Sequence, residues 1–152
     1  MRPMSRAPVP TYTFALVVVK SGRKVALVRA KKDGIAWSLP GGRVNEGEEL
    51  LAAARRFAAA ELGVPVELEG ILRVQHTLVD GGEARLRVCV VARPADDRPL
   101  KSLADEHSLV ATWYTREQLA SLSLKSDDVK RFVDLALDGP VYPVSLLSWE
   151  ER

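Results

Sequence analysis

One continuous run, LPGGRVNEGEELLAAARRFAAAELGV from Leu39 to Val64, restricts the fold of this chain more than any other. It opens with a Pro-Gly-Gly turn, in which Gly41 and Gly42 permit backbone angles closed to other residues. Glu46, Glu48 and Glu49 follow, and the spacing predicts a helix from roughly Glu48 to Leu62. Leu50, Leu51, Ala54, Phe57, Ala58 and Leu62 form its apolar side, and Gly63 suits the terminating position. The helix dipole favours carboxylates at an N-terminus, so capping alone accounts for the acidic cluster. A glycine turn feeding an acid-started helix is also a common way to build a phosphate or metal site. FAAAEL offers such a site a single carboxylate, Glu61.

The flanking sequence predicts the sheet on which this helix packs. Thr11 to Lys20 is β-branched and aromatic, and Ser21-Gly22 turns it into Lys24 to Ala30, which reads as a hairpin. A short strand is expected at Ile35 to Leu39, then a long one from Val64 to Leu78, with Asp80-Gly81-Gly82 turning into Ala84 to Arg93. The loop from Pro94 to His107 is long enough to be suspected of function. Leu109 to Tyr114 is a last strand, and Ser126 to Leu137 a last helix with Val129, Phe132, Val133 and Leu137 on one stripe. Strands, helix, strands, helix, with neither repeats nor linker, predict one α/β (α+β) domain around a mixed sheet, residues 11–138. Residues 1–10 read as a Pro-rich flexible tail and 139–152 as a C-terminal tail.

Composition excludes several functions. Lys plus Arg number 22 against 20 Asp plus Glu, a net charge of +2 too balanced to argue for nucleic-acid or membrane binding. No apolar stretch approaches the ~20 residues of a membrane span. The opening MRPMSRAPVP lacks the apolar centre of a secretion signal. The single Cys89 lies in an apolar run and reads as a buried free thiol, so a reducing, cytoplasmic setting is expected. His76 and His107 show no metal-ligand spacing.

Spacing within the first segment adds a sharper reading. Five residues separate Gly42 from Glu48, seven separate Glu48 from Arg56, and Gly63 and Val64 close the run. This resembles the Nudix box, G-x5-E-x7-R-E-U-x-E-E-x-G-U with U aliphatic, matched without a gap at Gly42, Glu48, Arg56, Glu61, Gly63 and Val64, with Ala58 a weak match at an aliphatic position. Trp37 and WYTREQL from Trp113 extend the resemblance over about residues 12–137. It implies the Nudix fold, a mixed curved β-sheet sandwiched between helices. It also implies roles: Gly42 lends a carbonyl near the metal, Glu48 pairs with Arg56 to brace the loop, and Glu61 is a metal ligand. In that family several helix glutamates hold Mg²⁺ or Mn²⁺ ions that bridge a substrate's diphosphate and activate water.

The departures are in the chemistry. Phe57 and Ala60 stand where the pattern has glutamates, so the expectation is one weakly held ion, with Phe57 packed at the vacated metal face. A replacement acid from the long loop (Asp96, Asp97, Asp105 or Glu106) is the alternative source, although a solvated loop explains each of them more simply. Arg29, Lys31 and Lys32 follow the second strand at the edge of the implied substrate cleft. Trp37 and Tyr114 suit base stacking, but packing is the commoner role for such rings. The C-terminal part is similar to Nudix phosphatases of oxidised guanine nucleoside diphosphates. Two functions stay open: a Mg²⁺-dependent hydrolase of nucleoside diphosphate derivatives with weak or rewired activity, and an inactive Nudix domain that senses a nucleotide or binds a partner protein. Either is compatible with a homodimer.

Overall fold

The computed structural model describes residues 7–30, 35–106 and 108–152. Its centre is set by two strands that are apolar on both faces: β1 (Thr11–Ser21) with Val17, Val18 and Val19, and β6 (Glu83–Pro94) with Val88 to Ala92, all buried. Such strands belong where both faces are covered. They lie side by side and parallel, from Thr11↔Ala84 to Val19↔Ala92.

This corrects the expected hairpin. β1 meets β2 (Lys24–Ala30) only at Lys20↔Val25 and Ser21↔Lys24. Beyond that point β2 turns away and pairs antiparallel with β7 (Ser108–Thr115). A half-exposed hairpin would leave one face of Val17–Val19 in water, whereas the central position buries both.

The order is β3-β2-β1-β6-β5, with β4 against β1 and β7 against β2. Here β3 is Trp37–Ser38, β4 is Gly41–Arg43 and β5 is Val66–Val79. Gly41 and Gly42 therefore lie in a short strand, and neither has a positive φ. Their smallness serves close approach: a Cβ on Gly41 would stand 2.5 Å from the Ala15 carbonyl oxygen.

Helices cover the two faces. α1 (Leu50–Phe57) and the π-helical turn Ala58–Leu62 bury Leu50, Leu51, Ala54, Ala58 and Leu62 against Ala15, Val17, Val19, Ala26 and Val28. On the other face, after the one-turn α2 (Arg116–Leu119), α3 (Asp127–Asp138) packs Val129, Phe132 and Val133 on Val18, Val25, Leu27 and Val91. The expected layering of a mixed sheet between helices is what the chain adopts.

The first helix begins two residues later than expected, at Leu50, with Glu49 as N-cap and no acid in its first turn. Gly63 terminates the π turn at φ 75°, in the left-handed region that favours glycine. Past α3 the chain docks on β5 through the paired backbone of Tyr142 and Ile71, and Val144 and Leu147 pack on the α1-side core. No described helix is long and apolar enough to cross a membrane.

Candidate active site

Glu48 and Arg56 meet across the start of α1. Arg56 Nε donates to Glu48 Oε2 at 2.7 Å and Nη2 to Oε1 at 2.9 Å, a two-pronged pair, and the Asn45 amide adds a bond to Oε1 at 3.1 Å. Hydrogen bonding from Arg56 holds the Glu48 carboxyl below its usual range. The pair ties the loop after β4 to the middle of the helix.

Glu61 sits on the π turn and reaches back to β4, where Gly41 N–H donates to its Oε2 at 2.8 Å. Burial is the main cause that raises its carboxyl to about 7, opposed by the Gly41 bond and by the charges of Lys125, Lys101 and Arg56. Phe57 lies against β4: a Cβ on Gly42 would stand 2.8 Å from Phe57 Cζ, and the Arg56 guanidinium lies 4.3 Å from the ring centroid. The ring thus covers Gly42, as expected.

From Glu61 a cleft of about 410 Å³ runs between the sheet and α3. Gly41, Gly42, Phe14, Arg85, Arg87, Lys125, Asp128 and Phe132 line it with Glu61. Arg87 is bound to Asp128 and donates from Nε to Gln75 Oε1 at 2.9 Å. Sequence reasoning missed Arg85 and Arg87. The signal was available, because in RLRV alternate strand residues share a face.

Other candidates fall elsewhere. Arg29 stacks on Trp37 at 5.8 Å and does not line the cleft, while Lys31, Lys32 and His107 lie outside the described residues. Trp37 and Tyr114 pack edge to face at 5.0 Å against the α3-side core. Asp96 and Asp97 line a separate cavity with Trp113, and Asp96 is paired with Arg98. Asp105 is engaged by Lys101, and Glu106 is exposed. Exposed His76 lies on β5, and burial pushes the Cys89 thiol up to about 12.

The NUDIX domain model matches residues 9–135, including both faces of this cleft. The chain belongs to the Nudix family. It is 31% identical over 128 residues to the 8-oxo-dGDP phosphatase NUDT18 of Homo sapiens, covering 82% of this chain and 38% of that protein. Against NUDT18 of Danio rerio the figures are 30% over 141 residues, 88% and 41%. The chain therefore spans about two fifths of these relatives' length. A Nudix hydrolase from Nitrosomonas europaea superimposes with a TM-score of 0.77 over 92% of this chain and 97% of that one, at 21% identity. A UDP-X diphosphatase gives 0.68 over 88% and 66%, at 16% identity. These structures share the fold.

Nudix hydrolases generally use divalent metals, and the described residues of this site offer few carboxylates for one. Among the described residues no three His, Cys, Asp or Glu side chains cluster as a metal would require. Glu61 has one oxygen committed to Gly41 N–H, leaving Oε1 toward an ion. Magnesium is commonly held by one or two carboxylates plus phosphates and water, a donor set to which Glu61 can contribute.

Proposed function

We propose that this Nudix domain takes nucleoside diphosphate derivatives and hydrolyses their phosphoanhydride bond weakly. The observation that carries this reading is Glu61 in the wall of the cleft, hydrogen-bonded to the glycine strand, with an aromatic ring over Gly42. The NUDT18 relatives, named as 8-oxo-dGDP phosphatases, support a nucleoside diphosphate as the substrate class. The Glu48–Arg56 pair braces the loop, and Glu61 with the Gly42 carbonyl would hold one Mg²⁺ or Mn²⁺. A bound ion would neutralise phosphate charge and make a water nucleophilic. A cytoplasmic setting suits the free thiol of Cys89.

Removing a charge-stabilising group or a general base commonly costs ~10²–10⁴ in rate, and losses on one site do not simply add. A phosphate-release screen of nucleoside diphosphates with Mg²⁺ and Mn²⁺ is expected to show slow turnover that Glu61→Gln abolishes. Brisk turnover indifferent to Glu61→Gln would overturn the assignment. Phe57→Glu with Ala60→Glu is expected to raise activity and to make the melting temperature metal-dependent. The second reading, an inactive domain that senses a nucleotide or docks a partner, is favoured by Phe57 occupying the face beside Gly42. It predicts no turnover even where calorimetry detects nucleotide binding.

A further inference from the structure

We propose that the cleft captures the diphosphate on protein cations, without a metal ion, with Arg85 of β6 and Lys125 ahead of α3 as the anion-binding pair. This rests on the reading that the ligand is a nucleoside diphosphate derivative. Two sets of observations meet here. At the helix end the means of holding metal are thin: one carboxylate, no cluster of three potential ligands among the described residues, and the Phe57 ring over Gly42. Along the rest of the cleft the charge is reversed: among the described residues that line it, Arg85, Arg87 and Lys125 stand against Glu61 and Asp128.

The three cations are not equivalent. Arg87 is committed, bound to Asp128, to which Arg131 Nη1 also donates at 2.9 Å, and to Gln75. It forms the wall that joins β6 to α3. Arg85 makes no ion pair among the described residues, and its guanidinium lies 5.5 Å from the Phe14 ring at the cleft edge. A ring face offers a guanidinium no hydrogen-bond acceptor oxygen, so its N–H fork can still match two phosphate oxygens. Lys125 is fixed by its backbone, which donates to Trp37 O at 2.9 Å, and its ammonium acts on the Glu61 carboxylate. Its charge therefore reaches the end of the cleft where phosphate and metal would meet. A space of about 410 Å³ falls in the range of small-ligand sites. Charge neutralisation that an ion would supply is thus provided by side chains already in place, at no cost of assembling an ion shell.

Isothermal titration with GDP, in EDTA and again with Mg²⁺, tests this directly, with inorganic pyrophosphate as competitor. The expected result is GDP binding of the same strength within about threefold in both buffers, displaced by pyrophosphate in EDTA. Arg85→Ala and Lys125→Ala should each weaken it by roughly tenfold or more, the loss expected for a hydrogen bond to a charged group. Arg85→Lys should fall between, and Arg98→Ala in the other cavity should leave it unchanged. Melting curves of the variants establish that each is folded, and both side chains are at the surface of the cleft. Binding that appears only with Mg²⁺ would overturn metal-free capture while leaving the proposed function intact. Unaltered binding by both alanine variants would likewise overturn it. Absence of GDP binding in either buffer would overturn both.

Discussion

Glu61 is the carboxylate proposed to hold an ion, and its protonation makes a stability prediction that needs no substrate. Burial raises its carboxyl from 4.5 to about 7. Between those values the native chain holds a proton that the unfolded chain has released, so stability falls as pH rises through the window and is level above it. In metal-free buffer Glu61→Gln is therefore expected to match the natural protein near pH 4.5 and to exceed it at pH 8. After allowance for screening at a half-buried group, the gain is on the order of 1–2 kcal/mol. Urea denaturation at the two pH values measures it, and equal stabilities at pH 8 would contradict the burial argument. Phe57 acts at the same scale. Its ring is accommodated because position 42 has no side chain, so Gly42→Ala would force ring and Cβ to within 2.8 Å.

At the scale of the element, the π turn explains how Glu61 is held. A wider turn leaves more C-terminal carbonyls unpaired than an α-helix does. Lys101 and the first residue of β7 satisfy three successive ones: Lys101 N–H donates to Leu62 O at 2.8 Å, Ser108 Oγ to Glu61 O at 3.1 Å, and Lys101 Nζ to Ala60 O at 3.5 Å. Lys101 Nζ also donates to Ser108 Oγ at 2.7 Å, and Ser108 is fully buried. Ser108→Ala is expected to cost about 1–3 kcal/mol, because two buried groups lose a partner. A chemical melt reads this, and an unchanged midpoint would show that the clasp is dispensable. Pi turns often coincide with functional sites, and this one carries the Glu61 carboxylate into the cleft.

Across the whole molecule, the chain after α3 closes the β5 side of the fold. Gly70 makes room for it: a Cβ there would stand 2.2 Å from Val141 Cγ1 and 2.8 Å from Tyr142 O. Gly70→Val is expected to lift the segment away, costing about 1–3 kcal/mol and exposing Val144 and Leu147. A lowered denaturation midpoint with faster proteolysis after α3 would confirm the docking, and unchanged proteolysis would refute it.

Local pattern decided a definable part of this protein. The apolar stripes of α1 and α3, the left-handed stop at Gly63 and the register that brings Glu48 to Arg56 are all short-range, and each follows from helical period or residue size within one segment. The same register sets Phe57 and Ala60 where the Nudix pattern has glutamates. Tertiary structure decided what depends on distant residues. The parallel pairing of β1 with β6 joins Thr11 to Ala84: the apolar run in β1 says that both its faces are covered, but not which strand lies beside it. The placing of Arg85 and Lys125 in one cleft likewise depends on how separate elements pack. Helical spacing is written into neighbouring residues, whereas strand pairing and cleft walls arise only when the sheet chooses which faces its helices cover.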